Sequence, residues 1–329
     1  MRFRASSRLT PICAVSAILA ACSGVAPTTP AAPSNAALLA QRFDSTGSWM
    51  EPAAAKGDLL YVSDTRGNVD VFAFPSGEPA GVLRGFRNPA GLCSDPKGNV
   101  FVVDTDNLDV LKYRHGGTKP IKALQIFGYY PFGCAVDPKT GDLAVANFTS
   151  QSQGPGSLSI FKVGQAIPRS YTDAAFNAFF FCSYDDHSNV FVDGADNGSR
   201  HTKFAELASG SSTLTTVTVD RTITYPGGVQ WDGSYLTVQD AATRILYRFK
   251  MSGTNGKSVG TLRVNGDKTT LVHQFAISGK TIVMPYGSSS RRVTKIGFWD
   301  YPNGGALQKS LTVKRAAELV GATVSLAHR

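Results

Sequence analysis

Two stretches of the chain share one pattern: PAGLCSDPKGNVFVVD at residues 89–104 and PFGCAVDPKTGDLAVAN at residues 131–147. Each begins with Pro-x-Gly and continues through an apolar run into an Asp-Pro-Lys turn that contains Gly. Each then ends in a second apolar run and a polar residue. Short runs rich in Val, Phe and Leu on either side of such a turn are typical of a β-hairpin. The pattern therefore predicts two strands per copy.

This pattern recurs six times after residue 47, at intervals of 40 to 47 residues. The second run of each copy ends at Asp64, Asp104, Asn147, Gly194, Asp240 and Pro285. A third run and a fourth, more polar run follow, for example at 69–74 and 80–86. A fixed period of this size with strand-turn-strand content indicates a β-propeller. We predict an all-β chain that forms a six-bladed β-propeller of four-stranded antiparallel blades over residues 46–329.

The repeat leaves the closure of the ring open between two segments. The C-terminal LVGATVS, residues 319–325, resembles the first strand of a copy. Residues 49–54 occupy the corresponding place before the first copy. One of them is expected to complete the blade in which the chain ends meet.

The start of the chain predicts export. Three arginines precede an apolar stretch at residues 12–21, and Leu-Ala-Ala leads into Cys22. This is the order of a bacterial lipoprotein signal peptide, residues 1–21, and its apolar part is too short to span a bilayer. Resemblance to lipoproteins implies that Cys22 carries lipid at the mature N-terminus. It also implies anchoring to the cell envelope, at the outer membrane in a two-membraned bacterium.

Residues 22–45, the lipidated Cys and a segment rich in Pro and Ala, have the composition of a flexible tether. Within it, residues 37–40 form either a short helix or the start of the folded part. Without residues 1–21 the formal net charge falls from +9 to +6, and no basic run remains. We therefore predict no nucleic-acid partner, a membrane contact through the lipid, and a protein or carbohydrate ligand.

Three cysteines remain in the exported chain, all in first strands of successive copies. Cys134 and Cys182 lie three residues before Asp137 and Asp185, so they occupy equivalent positions. Cys93 lies two residues before its Asp and is expected to face the other way. A Cys134–Cys182 disulfide is conceivable, and buried small hydrophobic residues are the other interpretation.

No catalytic motif is recognisable, and among the five histidines only His273, near the mouth of the sixth copy, is a candidate for catalysis. Loops before the first strand and after the second strand of each blade emerge on one face, which we call the mouth. Candidate ligand-binding residues there are Glu51, Asp64, Asp104, Tyr130, Asn147, Asp193, Tyr225 and Asp240. Carboxylates beside aromatic rings suit a divalent cation or a sugar-like ligand. Alternatively, the carboxylates bond backbone of adjacent turns and the aromatic rings seal the mouth.

The repeats, for example GNVFVVDTDNLDVLKY at residues 98–113, resemble those of NHL-repeat and gluconolactonase-like six-bladed propellers. The gluconolactonase resemblance implies an axial cation held by a Glu, an Asn and an Asp, for which Glu51, Asn147 and Asp240 are the candidates. The Pro-Asn-Gly and Pro-Asp-Gly motifs of those enzymes are replaced at the corresponding blade entrances by Pro-Ala-Gly, Pro-Phe-Gly and Pro-Gly-Gly.

These observations favour a lipid-anchored propeller that acts as a non-catalytic binding or scaffold module and requires no cofactor. The alternative is a metal-dependent, lactonase-like hydrolase or a lyase with its site at the axial mouth. That alternative would require a Ca²⁺ or Mg²⁺ ion.

Overall fold

Short β-strands follow one another along the part of the chain that the computed structural model describes, residues 42–43, 47–196, 202–265, 273–287 and 293–327. These residues belong to one compact unit. The predicted signal peptide, Cys22 and most of the predicted tether lie outside them. None of the described helices is long and apolar enough to cross a membrane.

The strands of the first three sheets are β1 (Trp49–Met50), β2 (Leu59–Asp64), β3 (Asn68–Ala73), β4 (Pro79–Arg84), β5 (Pro89–Ser94), β6 (Val100–Asp104), β7 (Asp109–Tyr113), β8 (Pro120–Gln125), β9 (Tyr129–Val136), β10 (Leu143–Ser150), β11 (Ser157–Phe161) and β12 (Arg169–Tyr171). The later strands are β13 (Phe176–Tyr184), β14 (Val190–Asp196), β15 (Thr202–Leu207), β16 (Thr215–Val219), β17 (Pro226–Trp231), β18 (Leu236–Asp240), β19 (Ile245–Ser252), β20 (Asn255–Arg263), β21 (Ala276–Ser278), β22 (Thr281–Tyr286), β23 (Lys295–Asp300), β24 (Gly304–Thr312) and β25 (Leu319–Ser325). Two short 3-10 helices lie at Ala54–Lys56 and Thr105–Asn107.

The described strands form five hydrogen-bonded sheets of antiparallel meanders. The first sheet has the order β1-β4-β3-β2-β25. Strands β5–β8, β9–β12 and β21–β24 form sheets of four. Strands β13–β20 form one sheet of eight, in which two meanders join through a parallel contact between β16 and β20. The all-β, propeller-like architecture predicted from the repeat is confirmed.

The first and the last described strands both belong to the first sheet, which answers the question of closure. The C-terminal β25 pairs with β2, for example Leu60 with Val324, and takes the place of the first strand of the copy. The N-terminal β1 pairs with β4 at the opposite edge, where Trp49 faces Val82. Residues 319–325 therefore complete the repeat, and residues 49–54 do not.

Apolar side chains project from both faces of each sheet, because neighbouring sheets cover both faces. In β2, Leu59 and Tyr61 pack toward the second sheet, whereas Leu60 and Val62 pack toward the last sheet. Six such clusters of buried residues occur in the described chain, each between consecutive meanders. Burying one Leu or Val contributes roughly 1.5–3 kcal/mol. The core is therefore divided between the sheets rather than gathered in one centre.

The recurring Asp-Pro-Lys turn has a hydrogen-bonding cause. Asp95 accepts hydrogen bonds from the backbone N–H of Lys97 (3.0 Å) and of Asn99 (2.8 Å), which fixes the hairpin between β5 and β6. Lys112 of β7 adds an ion pair to Asp95 at 3.1 Å. The same carboxylate-to-turn bond is made by Asp137, Asp185 and Asp232. The Asp of the repeat is thus a turn residue.

The recurring Pro-x-Gly marks a close approach between first strands. A Cβ atom on Gly91 would lie 2.6 Å from the carbonyl oxygen of Phe132 in the next sheet. One on Gly133 would lie 3.0 Å from the Cα atom of Phe181 in the sheet after that. Glycine is required at both places because no other residue leaves room for the neighbouring backbone. The first strands therefore meet almost backbone to backbone at this level.

The folded part includes two residues of the predicted tether. The Arg42 guanidinium donates to Asp104 at 2.7 Å and to Asp109 at 2.5 Å, and both carboxylates are buried. The ring of Phe43 is buried against Phe86 and Tyr113. Burial raises the pKa of Asp109 to about 6, although the adjacent Arg42 lowers it. Residues 42–43 of the predicted tether therefore contact the folded part through an ion pair and an aromatic contact that the composition of the segment does not predict.

We expect Arg42→Ala to lower the free energy of unfolding by about 2–3 kcal/mol, because it leaves two buried carboxylates without their cation. Urea denaturation of the purified protein measures the loss. The matched control Arg221→Ala, at an exposed position, is expected to change stability by less than about 0.5 kcal/mol. Equal stabilities of the two variants would contradict the docking of Arg42.

Candidate functional site

The second strands end in buried carboxylates whose partners are backbone amides. Asp64 accepts from the N–H of Ala317 (2.8 Å) and Glu318 (3.1 Å), in the loop that enters β25. Asp104 accepts from the N–H of Asn88 at 2.9 Å, in the loop that enters β5. Each carboxylate therefore holds the loop that leads into the first strand of its own sheet.

Asp240 repeats this arrangement in the fifth copy. It accepts from the N–H of Thr224 at 3.2 Å and of Ala242 at 3.0 Å, on either side of the strand pair. The geometry thus supports the alternative in which these aspartates bond the backbone of adjacent turns. Their oxygens are directed to the protein's own backbone instead of to a common point on the axis.

Asn147 and Asp193 are also interior residues. The Asn147 amide donates to the hydroxyls of Ser157 and Ser159, both at 2.9 Å. Asp193 accepts from the N–H of Phe181 at 2.8 Å and is fully buried. Burial raises the pKa of Asp193 well above its ordinary value, opposed by backbone hydrogen bonds. Both side chains hold strands together inside a sheet.

Aromatic side chains cover the mouth beside these residues. Phe132 packs against Phe180 and Phe181 with ring centroids 5.7 and 5.3 Å apart, and Phe148 joins the group while remaining 40% exposed. Tyr130 is half-buried, and Tyr225 is 41% exposed. Phe132, Phe180 and Phe181 belong to the first strands β9 and β13, so this aromatic group joins neighbouring first strands at the mouth.

Glu51 lies elsewhere, and the expectation of an axial position for it is wrong. It follows β1 at the outer edge of the first sheet, with β4, β3 and β2 between it and the inner β25. Glu51 is therefore not brought together with Asn147 and Asp240, which lie buried in second strands of other sheets. Within the described residues, no group of three or more His, Cys, Asp or Glu side chains could hold a metal ion.

His273 lies inside the protein between two first strands. Its carbonyl accepts from the N–H of Gly228 in β17 at 3.1 Å, and its neighbour Gln274 donates to Val320 in β25. The imidazole is 1% exposed. Burial lowers its pKa to about 4, against a hydrogen bond with the backbone of Leu319 that raises it. His273 is thus a neutral interior residue at neutral pH.

A cavity of about 450 Å³ occupies the opposite end of the axis, and we call it the axial cup. Its wall is formed by the second halves of the first strands and by the turns that follow them, including Cys93, Ser94, Cys182, Ser183, Gln230, Trp231, Gln274, Ser278, Thr323 and Leu326. The turn residues Gly233, Gly279 and Leu326 are exposed, so the cup opens on the hairpin face. The predicted mouth and the observed cavity are therefore at different ends.

Side-chain amides lock the wall of the cup across sheet boundaries. Gln230 of β17 donates to and accepts from the backbone of Ile277 in β21, at 3.2 and 2.8 Å. Gln274 makes the same two bonds with Leu92 of β5, at 2.6 and 2.8 Å. Each glutamine amide thus pairs with the N–H and C=O of one residue in a strand of another sheet, as a neighbouring β-strand would. The wall is thus held in one arrangement before any ligand arrives.

The rim of the cup combines an indole and a carboxylate. The ring N–H of Trp231 donates to Asp186 at 3.0 Å, and its backbone N–H donates to the Ser183 hydroxyl at 2.8 Å. Trp231 is half-buried and Asp186 is exposed. Both bonds cross from the fifth copy to the fourth, so the indole plane is fixed at the entrance.

A disulfide between Cys93 and Cys134 lies in the same wall, with Cα atoms 5.7 Å apart. The pairing considered from the sequence, Cys134–Cys182, is wrong. Cys93 and Cys134 face each other across the boundary of the second and third sheets because they point in opposite senses. Cys182 points in the same sense as Cys134 and stays a buried free thiol, whose pKa is raised by burial.

The sequence does contain a pattern that indicates the cup, but it lies at the ends of the first strands rather than at the ends of the second strands. Polar residues interrupt the apolar first strands just before their turns, as Ser94, Ser183 and Gln230 do. A fully buried strand has no need of them, so their position points to a cavity at the turn end.

Comparison with known proteins agrees with this architecture. The family profile of the NHL repeat matches residues 86–113. A chain in a structure described as "Crystal structure of Nidogen/Laminin Complex" has a TM-score of 0.66 and 14% identity, over 83% of this chain and 100% of that one. A protein of unknown function from Bacteroides caccae has a TM-score of 0.60 and 10% identity, over 82% of this chain and 99% of that one.

No curated protein is significantly similar to the chain in sequence. At these identities the structural matches establish the fold alone. The chain thus contains an NHL repeat within a β-propeller fold.

We expect the buried neutral His273 to make stability depend on pH. Its folded pKa lies below the unfolded value, so the unfolded state takes up the proton first and stability falls as pH drops from about 6.5 to 4. Between pH 7 and 4.5, His273→Gln is expected to lose about 2–3 kcal/mol less than the wild type in urea denaturation. The exposed His187→Gln is the control. A variant at residue 273 that follows the wild-type pH curve would contradict this account.

Proposed function

We propose that this chain is an exported lipoprotein of the bacterial cell envelope whose propeller acts as a non-catalytic binding module. In this proposal Cys22 carries the lipid and residues 22–45 form the tether, within which Arg42 and Phe43 contact the propeller. The module has six blades of four strands and requires no cofactor.

Two features of the sheets support the count of six blades. The eight-stranded sheet divides at β16 and β20, where only Thr218 with Asn255 and Val219 with Gly256 are paired. Its two meanders enclose an apolar cluster between them, as consecutive sheets do elsewhere in the described chain. In the first sheet, β25 with β2–β4 makes a blade of four, to which β1 adds an outer strand.

The axial cup is the observation that carries the proposed binding function. It has the size of a small-ligand site, and hydrogen bonds of Gln230 and Gln274 connect the strands of its wall. Serine and threonine hydroxyls, the Asp186 carboxylate and the Trp231 indole lie among apolar side chains in its wall, and the described lining residues include no Lys, Arg or His. An uncharged ligand with many hydroxyl groups satisfies such a lining, because it can exchange hydrogen bonds and place its C–H face on the indole. We therefore propose a carbohydrate as the ligand of the cup.

The lactonase-like alternative would need Glu51, Asn147 and Asp240 on a single cation. The outer-edge position of Glu51 opposes that arrangement. No specific observation favours a hydrolase or lyase over the binding module.

Replacement of Trp231 tests the cup directly. In calorimetric titration of the full-length protein in detergent with a panel of mono- and disaccharides, Trp231→Ala is expected to weaken binding at least tenfold, since it removes the rim surface. Phe127→Ala, which removes a 60% exposed ring outside the cup, is the matched control and is expected to bind as the wild type does. Absence of binding by the wild type, or equal loss in both variants, would argue against the cup as a sugar site.

Replacement of Cys22 tests the anchor. In cells fed a labelled fatty acid, Cys22→Ala is expected to abolish incorporation of the label and to release the protein from the membrane fraction, because two or more acyl chains are needed for firm anchoring. Cys182→Ala retains the acceptor and should fractionate with membranes. Unchanged fractionation of the Cys22 variant would refute the lipoprotein assignment without affecting the cup.

A further inference from the structure

A second concave site lies in the first sheet, away from the axis. It is a cleft of about 290 Å³ between the outer strands of this sheet and the loop that enters β25. Its charged and aromatic lining consists of Trp49, Asp64, Asp70, Phe72, Arg84, Lys314 and Arg315. We call it the terminal cleft, because both chain ends contribute to it.

Asp70 is the residue that sets the terminal cleft apart from the repeat. By strand register, the corresponding positions hold Leu111 in the second sheet and Tyr247 in the fifth. Among the described residues, no donor forms a hydrogen bond with the Asp70 carboxylate. Burial raises its pKa to about 6, repulsion from Asp64 adds to this, and Arg84 opposes it. Asp70 is half-buried, so the fold holds a partly desolvated carboxylate at a position where these two copies have Leu or Tyr.

Three cations border the same space. Arg84 lies across the strand pair from Asn68 and is tied to the Gly47 carbonyl at 2.7 Å. Lys314 and Arg315 are exposed, and neither makes an ion pair with another described residue. Arg315 has a left-handed backbone (φ 68°), which is uncommon for a side chain of this size. The three cations are thus exposed, whereas Asp70 is half-buried.

Trp49 supplies an apolar wall to the terminal cleft. Its side chain is 45% exposed, and it lies in β1, a strand of only two residues. The strand is held by pairing with β4 and by the close approach of Gly81, where a Cβ atom would lie 2.6 Å from the carbonyl oxygen of Trp49. A large ring is therefore kept at the edge of a charged cleft without being used for the core.

We propose that the terminal cleft binds a small zwitterion with an apolar side chain, such as a free α-amino acid. The ammonium group is bound at Asp70, the carboxylate is bound by Arg84, Lys314 and Arg315, and the side chain packs on Trp49. A ligand with only one of the two charges leaves either the half-buried Asp70 carboxylate or the cations without a partner, which costs affinity. The site is separate from the axial cup and does not depend on the function proposed for it.

The experiment compares three ligands that differ by one charged group. Calorimetric titration of the full-length protein in detergent uses L-phenylalanine, phenethylamine, which lacks the carboxylate, and 3-phenylpropanoate, which lacks the ammonium group. L-phenylalanine is expected to bind at least tenfold more tightly than either of the other two. Binding of all three with equal affinity, or no binding of L-phenylalanine at millimolar concentration, overturns the proposal.

Variants then assign the contacts. Asp70→Asn and Trp49→Ala are each expected to weaken L-phenylalanine binding at least tenfold, whereas Asp106→Asn, which removes an exposed carboxylate elsewhere, is expected to leave it unchanged. The melting temperature of Asp70→Asn is expected to equal or exceed that of the wild type, because the substitution removes a desolvated charge. An Asp70→Asn protein that melts lower, or that binds L-phenylalanine as the wild type does, overturns the assignment.

Discussion

Every sheet of this protein has two apolar faces, and that constraint governs the rest of the structure. A sheet buried on both sides cannot stand at the end of a row, so the row must close on itself. Closure here depends on β25, which pairs with β2 and brings Leu319 and Ala322 into the cluster between the last and first sheets. Without this strand, Leu60 and Val62 would lose the partners on one side.

The close spacing of the first strands explains where ligands can be accommodated. Near Gly91 and Gly133 the strands approach so closely that the axis is filled by backbone and by the aromatic rings above it. Farther along, toward their turns, larger and polar side chains replace glycine and the axial cup begins. The carboxylates at the mouth are committed to loop amides, and the polar groups at the hairpin end are the ones that border open space.

The first sheet departs from the other sheets because it is assembled from both ends of the chain. Its inner strand arrives after the last copy, and its outermost strand precedes the first copy. The loop that enters β25 contains Lys314 and Arg315, and both residues line the terminal cleft of the first sheet. Asp70 faces this loop where other copies hold Leu111 or Tyr247. The terminal cleft is thus a consequence of closing the ring with two segments.

The repeat in the sequence was sufficient to predict the strands, the Asp95-type turns and the β-propeller, because each depends on residues that are close along the chain. It did not reveal that Cys93 pairs with Cys134, that Glu51 lies at an outer edge, or that Arg42 reaches Asp104 and Asp109. These facts depend on how neighbouring sheets are rotated and on which terminal segment takes the inner position. Side-chain periodicity determines the face of a strand on which a residue lies. Only the packing of the sheets around the ring determines which residues of the neighbouring sheet contact that face.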